Sequence, residues 1–111
     1  MNLLEYYVLL ALSSGPRHGY AIKDAVAADS GGVETPRAGN LYRVIARLIT
    51  AGWVRESQPH DAPARLPHPG VARRYYTLTA AGRRTLAAQA ARLKDAATAA
   101  EKRLRDMPGR S

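Results

Sequence analysis

The stretch TPRAGNLYRVIARLITAGWV, residues 35–54, decides the fold of this chain. Its apolar side chains are three and four residues apart, the spacing of one face of an α-helix, and they are Leu41, Val44, Ile45, Leu48 and Ile49. Asn40, Arg43 and Arg47 repeat at the same intervals on another face. The stretch therefore predicts a helix from about Ala38 to Ala51 with one packed face and one cationic face.

The sequence on both sides of this helix predicts five further elements. In chain order the elements are an Asn2-capped helix, a helix from His18 or Gly19 to Ala28, the helix at 38–51, strands at 53–57 and 74–78, and an Ala-rich helix capped by Thr79 that reaches about Arg105. Three helices followed by a two-stranded hairpin make the winged form of the helix-turn-helix. The predicted fold is thus mainly α (α+β), with a winged helix-turn-helix domain over residues 1–78, a C-terminal dimerisation helix over 79–107 and a flexible tail at 108–111.

This order of elements indicates which residues would bind DNA. In a winged helix-turn-helix protein the third helix enters the major groove, where Arg pairs with guanine and Asn with adenine. The predicted DNA-binding residues are Arg37, Asn40, Tyr42, Arg43 and Arg47 around the third helix, and Arg73 and Arg74 at the base of the wing. Tyr20 and Lys23 on the second helix are candidates for contacts with the DNA backbone, and structural roles for both are equally open.

The charge of the chain is consistent with such a partner but does not locate its binding face. Seventeen Lys and Arg against nine Asp and Glu give a net charge of +8, which favours a nucleic acid or an anionic membrane surface. Residues 1–57 carry six basic and five acidic groups, whereas residues 58–111 carry eleven and four. Most of the excess therefore lies downstream of the helix expected to read DNA.

Three segments carry a resemblance to a known family. They are LLALSSGPRHGYAIKDAV at 9–26, PRAGNLYRVIARLITAGWV at 36–54 and RRYYTLTAAGRRTL at 73–86, and together they resemble the PadR family of bacterial transcriptional regulators. The resemblance implies a homodimeric winged-helix repressor that binds a palindromic operator and is released by a ligand or signal. The single C-terminal helix is similar to that of the short PadR subfamily. Asn40 stands where the family usually has Thr, and the last helix lacks the Trp residues with which some short members bind planar drugs.

The last helix is also predicted to hold two copies of the chain together. Its apolar residues alternate at spacings of three and four, the pattern of a coiled-coil seam, and the first helix is apolar on more than one face. The predicted interface residues are Leu3, Leu4, Tyr7 and Val8 of the first helix, and Leu86, Ala90, Leu93, Ala97, Ala100 and Leu104 of the last, with Met107 as the next position. Ala at three of these positions buries little area, so both helices are expected to contribute.

The composition excludes several classes of function. The chain has no Cys, which rules out a disulfide framework and a Cys-based zinc site, and no glycine-rich phosphate loop or carboxylate pair with a nearby base is present. His60, His68 and Asp61 lie in a Pro-rich stretch without preorganised geometry, so no metal site is expected. We expect no enzyme activity and no cofactor. The N-terminal apolar run contains Glu5 and is too short to span a bilayer, which predicts a soluble, cytoplasmic protein.

Two further expectations concern alternatives to this interpretation. A winged-helix core can serve as a protein-interaction module, and the C-terminal charge can bind nucleic acid or an anionic surface without sequence preference.

Within the second strand, Tyr75 and Tyr76 are expected to point to opposite faces, one inward and one outward. Partners expected from the sequence are double-stranded DNA, a second copy of the chain and a small-molecule effector of unknown identity, with no membrane.

Overall fold

The computed structural model describes residues 1–57 and 74–107 of the chain. Its elements, in order, are α1 (Leu3–Ala11), β1 (Arg17–His18), α2 (Gly19–Asp29), α3 (Ala38–Thr50), β2 (Val54–Glu56), β3 (Tyr75–Leu78) and α4 (Ala80–Arg105). The predicted winged helix-turn-helix with a long C-terminal helix is confirmed. Arg73, Asp61, the histidines at 60 and 68 and the tail at 108–111 lie outside the described residues.

Side chains cap three of the four helices, and two of these caps, Asn2 and Thr79, are those that the sequence predicts. Asn2 and Glu5 form a reciprocal capping box at the start of α1, in which each backbone N–H donates to the other's side chain at 2.8 Å. The His18 Nδ1 atom accepts from the Ala21 N–H at the start of α2. The Thr79 hydroxyl accepts from the Gly82 N–H at the start of α4. Each such cap contributes about 1 kcal/mol, which explains why these helices begin where they do.

The apolar stripe of α3 lies in the core of the chain. Leu41, Val44, Ile45 and Leu48 are buried against side chains of α1, α2 and the sheet, while Ile49 lies at the exposed edge of the stripe. The core also contains Val8, Leu9, Ala11, Leu12, Ile22, Val26, Val54, Tyr76 and Leu78. Apart from Ile49, the packed face of α3 is therefore buried inside one copy of the chain.

The sheet has three strands rather than the two that the sequence predicted. Its order is β1-β3-β2 and both pairings are antiparallel, with Arg17 opposite Tyr76 and Val54 opposite Leu78. A strand of two residues has no alternation to detect, so β1 was missed. β3 is the central strand, and both of its tyrosines are buried. Tyr76 enters the core, and Tyr75 packs edge-on against the His18 ring at a centroid distance of 5.6 Å. The expectation that one of the two rings points outward is wrong.

The end of α3 and the start of α4 are joined by close backbone contacts. The Thr79 hydroxyl donates to the Gly52 carbonyl at 2.6 Å, and the Thr79 N–H donates to the Trp53 carbonyl at 3.0 Å. The Trp53 carbonyl also lies where a Cβ at Gly82 would stand, so only glycine fits there. These contacts fix the direction in which α4 leaves the domain.

The outer part of α4, from Lys94 onward, extends beyond the domain. The helix has 26 residues, a length of about 39 Å, and from Lys94 onward all of its side chains are exposed except the half-buried Ala99. The chain measures 63 × 26 × 23 Å along its principal axes as a result. The apolar seam of this outer part has no partner among the described residues.

Candidate nucleic-acid interface

The start of α3 has neither a side-chain cap nor an acidic residue in its first turn. Pro36 is buried and orients the entry, and Arg37 occupies the N-cap position without a side-chain hydrogen bond to the first turn. No acidic residue lies in that turn. Free N–H groups and the positive end of the helix dipole favour an anion at such a terminus. This end of α3 is therefore suited to a phosphate group.

The outer face of α3 is centred on Arg43. With about 3.6 residues per turn and the packed face at Leu41 and Leu48, the opposite direction falls on Gly39, Arg43, Ala46 and Thr50. All four are exposed. A Cβ added at Gly39 would have no neighbour within 4 Å. Small residues on either side of a long Arg let a helix backbone approach another surface closely, so this face can enter a groove.

Sequence reasoning overlooked part of this face. Gly39, Ala46 and Thr50 were not among the predicted contacts because none carries a charge or an amide. Their positions around Arg43, at intervals of three and four, are the signal that would have found them. In contrast, Asn40, Arg47 and Tyr42 lie on the flanks of the helix and not at its outermost line.

One flank of α3 borders an open groove of about 530 Å³ against the N-terminal part of α1. The groove is lined by Leu4, Glu34, Thr35, Pro36, Arg37, Gly39, Asn40 and Arg43. It brings together three of the predicted DNA contacts, Arg37, Asn40 and Arg43. Glu34 is the carboxylate on the same wall, so the groove carries a net positive charge.

Arg47 lies on the same flank but has a partner within the chain. Its Nε atom is 3.3 Å from the Glu5 Oε2 atom of α1, and 54% of the Arg47 side chain is exposed against 16% for Glu5. The structure thus separates Arg47 from the other predicted contacts, because its guanidinium is held at the junction of α1 and α3.

The other flank of α3 meets α2. The Tyr42 hydroxyl lies where a Cβ at Gly19 would stand, so glycine at the start of α2 allows this ring to pack there. Tyr42 nevertheless remains exposed, as does Tyr20, and Lys23 is half-buried. These residues border one small cavity with Leu41. The two predicted backbone contacts of α2 therefore lie beside the Tyr42 flank.

The base of the wing carries exposed cations near the sheet. Arg74 is 3.9 Å from the Glu56 carboxylate in an exposed ion pair, and such pairs contribute little to stability. Burial raises the pKa of the Tyr76 phenol above its ordinary value of 10.0, and neighbouring Tyr42 and Glu56 raise it further while Arg74 opposes them. Tyr76 is therefore a neutral structural residue, and Arg74 is the wing-base cation that faces solvent.

The predicted interface residues divide between surface and core. Val8 is 0% exposed and packs in the core of its own chain, so its assignment to a dimer interface is wrong. Leu3 is exposed, and Leu4 and Tyr7 are half-buried. On α4, Leu86, Ala90 and Leu93 are half-buried, whereas Ala97, Ala100 and Leu104 are exposed. Leu4, Tyr7 and Leu86 pack in part against the core of their own chain, so the exposed members of the set are Leu3 on α1 and the three residues at the end of α4.

Residues 1–57 and 74–107 contain neither a cluster of metal ligands nor a membrane-spanning helix. No three His, Cys, Asp or Glu side chains in these ranges lie together as a metal site would require. The helices in the same ranges include none with the length and hydropathy that crossing a bilayer demands.

Comparison with known proteins identifies relatives of the chain. A family model described as the transcriptional regulator PadR-like family matches residues 8–88. A search of curated proteins gives no significant match. A PadR-like transcriptional regulator from Bacillus cereus is similar in structure, with a TM-score of 0.74 and 17% identity over 95% of this chain and 94% of that one. A PadR family transcription regulator from Clostridium difficile gives 0.71 and 16%, over 93% and 99%.

One similar structure contains DNA. Bacillus subtilis PadR in complex with operator DNA matches with a TM-score of 0.64 and 20% identity, over 79% of this chain. The chain spans 46% of the length of that protein. At these identities, the structural matches establish the fold that the chain shares with them.

Proposed function

The chain belongs to the PadR-like family of transcriptional regulators, and from that premise we propose that it is a sequence-specific repressor. In this proposal it acts in the cytoplasm as a homodimer on a palindromic operator and releases the DNA when a small-molecule effector binds. It has no catalytic role. Residues 1–78 form the DNA-binding domain and residues 79–107 the dimerisation helix.

The observation that carries the proposal is the outer face of α3. Arg43 stands at its centre, with the small residues Gly39 and Ala46 on either side. The apolar residues on the opposite face of α3 are buried inside the chain, apart from Ile49. An α-helix fits the major groove, and Arg pairs with the two acceptors of guanine. Arg43 is therefore the proposed base-reading residue.

The neighbouring predicted contacts take supporting roles. Asn40, on the groove wall beside Arg43, has the amide that pairs with adenine. Arg37 at the start of α3 and Arg74 at the base of the wing are placed for phosphates, which set register and orientation. Tyr42, Tyr20 and Lys23 form the other border, where hydroxyl and ammonium groups can donate to the DNA backbone. The Bacillus subtilis PadR complex with operator DNA supports double-stranded DNA as the partner.

Dimerisation is proposed through α1 and α4. The exposed and half-buried residues that would form the seam are Leu3, Leu4, Tyr7, Leu86, Ala90, Leu93, Ala97, Ala100 and Leu104. Two recognition helices that read successive major grooves must stand about 34 Å apart. Because the contacts of Thr79 and Gly82 fix α4 relative to α3, pairing of α4 would set that distance.

The proposal is tested by replacing Arg43 and comparing DNA affinities. Fluorescence anisotropy with DNA from the protein's own upstream region and with scrambled DNA gives the ratio of specific to non-specific binding. We expect Arg43→Ala to lower that ratio by roughly 5- to 150-fold, the range to which about 1–3 kcal/mol for a lost bidentate contact corresponds. Arg92→Ala is the matched control, because Arg92 is exposed on α4 and bonded to Gln89.

The same experiment separates the alternatives. A binder without sequence preference would show equal affinity for both DNAs and a larger loss on removal of Arg103 and Arg105 than of Arg43. These two cations lie in the last turn of α4, where they also suit the negative end of the helix dipole. A protein-interaction module would bind neither DNA at low salt. Either result would contradict the proposed function.

A further inference from the structure

The ion pair between Glu5 and Arg47 joins two helices that the proposed function assigns to different tasks. Glu5 is on α1, between the proposed seam residues Leu4 and Tyr7, and Arg47 is on α3, one turn beyond Arg43. Their side chains meet at 3.3 Å across 42 positions of sequence. Within residues 1–57 and 74–107, the other ion pair connects Arg74 with Glu56 and joins no helices.

The position of the Glu5 carboxylate is fixed by the capping box. Its Oε1 atom accepts from the Asn2 N–H at 2.8 Å while its Oε2 atom faces Arg47. Only 16% of the Glu5 side chain is exposed, so the carboxylate has little freedom to move away. An Arg beside a carboxylate held in this way is itself oriented, because the guanidinium gains charge-assisted hydrogen bonding at one place.

The relative orientation of α1 and α3 matters for DNA binding because of the residues that each helix carries. α1 carries part of the proposed dimer seam, and α3 carries the proposed base-reading residue. A change in the angle between α1 and α3 would shift α3 relative to the two-fold axis of a dimer. Both half-sites would then be misaligned together, and contacts with bases depend more strongly on alignment than contacts with phosphates do.

We infer that Glu5 is a positioning residue for DNA recognition and that Arg47 is its partner instead of a contact with DNA. This inference rests on the proposed function. It reassigns Arg47 from the predicted contacts to the junction of α1 and α3. In this inference the Glu5 carboxylate offsets the charge of Arg47 and holds its Nε atom, so Arg47 makes no phosphate contact in the complex.

The test is a double-mutant cycle with Glu5→Gln, Arg47→Gln and the double variant. Gln at position 5 can still accept the Asn2 N–H, because capping boxes use Glu or Gln, so the cap survives while the charge is removed. Each single change is expected to lower the ratio of operator to scrambled affinity by about fivefold, the factor to which about 1 kcal/mol corresponds. The double variant is expected to lose no more than either single variant, and Arg47→Lys to recover part of the ratio.

Salt dependence separates this role from direct contact. A lost phosphate contact reduces the slope of log affinity against log salt by about 0.9. We expect Arg47→Gln to leave the slope unchanged. A slope reduced by that amount, or a Glu5→Gln variant that binds operator more tightly than the wild type, would overturn the inference, since both show Arg47 reaching DNA. The control is Glu101→Gln, which removes one carboxylate from the exposed part of α4.

Failure of the proposed function gives a different result. If the wild-type protein bound both DNAs equally, the repressor proposal would fall. The cycle measured by denaturant unfolding would then show whether the pair couples α1 to α3: additive losses from the two single changes would contradict the coupling as well.

Discussion

Helices α3 and α4 both show an apolar stripe and Arg-rich faces, but they use them in opposite ways. The stripe of α3 is buried within its own chain, so the opposite face of α3 is what remains for a partner. The stripe of α4 faces solvent over the outer half of the helix, where Leu104 is 68% exposed. An apolar stripe therefore locates the core in one helix and the proposed partner surface in the other. Burial, and not periodicity, distinguishes the two.

The largest expected effect is a loss of stability when a buried residue of the α3 stripe is truncated. Leu48 is 1% exposed, and we expect Leu48→Ala to lower the free energy of unfolding by about 2–5 kcal/mol, because it leaves a cavity in the core. Urea unfolding followed by circular dichroism measures the change. Leu104→Ala is the matched substitution in α4, and we expect it to leave the unfolding of a single copy nearly unchanged. Equal losses in the two variants, measured at concentrations where the chain is monomeric, would contradict the comparison.

The second-largest expected effect is a loss of stability from a substitution at the junction between the end of α3 and the start of α4. A Cβ at Gly82 would meet the Trp53 carbonyl, which is backbone and cannot move aside. Gly82→Ala is expected to cost about 1–3 kcal/mol of stability, as overpacking does. Gly39→Ala is the control: its Cβ would meet nothing, and Ala in a helix is favoured over Gly by about 0.5–1 kcal/mol. A Gly82→Ala variant as stable as Gly39→Ala would show that the junction is not close-packed.

The seam of α4 is tested by a smaller effect on association. If Leu104 packs against a second copy, Leu104→Ala should weaken dimerisation by at least about tenfold, because burial of a Leu side chain contributes about 1.5–3 kcal/mol. Sedimentation equilibrium over a range of concentrations measures the dissociation constant. Val33→Ala, at an apolar side chain that is 80% exposed in the turn before α3, should have no effect. An unchanged constant for Leu104→Ala would remove the end of α4 from the interface.

The smallest expected effect is on the pH dependence of stability. It arises from Tyr76, in the sheet that packs against α3; the exposed outer half of α4 has no comparable buried group. Burial raises the pKa of Tyr76 in the folded state above 10.0, so the phenol binds its proton more tightly when folded. Its contribution to stability is complete below pH 10.0 and is lost as the pH rises through the folded pKa. Unfolding measured from pH 8 to 11 should show this decline, and Tyr76→Phe should reduce it. An identical decline in that variant would assign the effect to other groups.

The comparison also shows how much of the fold could be predicted from the sequence. The apolar spacings and the caps at Asn2 and Thr79 are local patterns, and they predicted the four helices correctly. The two-residue strand β1 has no pattern of its own and becomes a strand only when β3 lies beside it. For the same reason, the burial of both Tyr75 and Tyr76 could not be read from the alternation of a single strand.

The candidate site was predictable to a similar extent. The helix that carries it and Arg43 at its centre followed from periodicity, whereas the roles of Val8 and Arg47 did not. Helix α1 is apolar on more than one face, and the sequence does not distinguish the face that packs within the chain from the face that remains outside. Arg47 was assigned to DNA because its partner Glu5 lies far away in the sequence. In both cases the contact that the sequence does not reveal joins distant segments of the chain.

The most direct test of the account is fluorescence anisotropy of the wild-type protein with DNA from its own upstream region and with scrambled DNA, across a salt series. We predict a dimer that prefers the upstream DNA by ~10³ or more near physiological salt, as specific regulators do. Equal affinities that fall together steeply with salt, for this DNA and for a library of other operator sequences, would contradict the claim that the outer face of α3 reads DNA sequence.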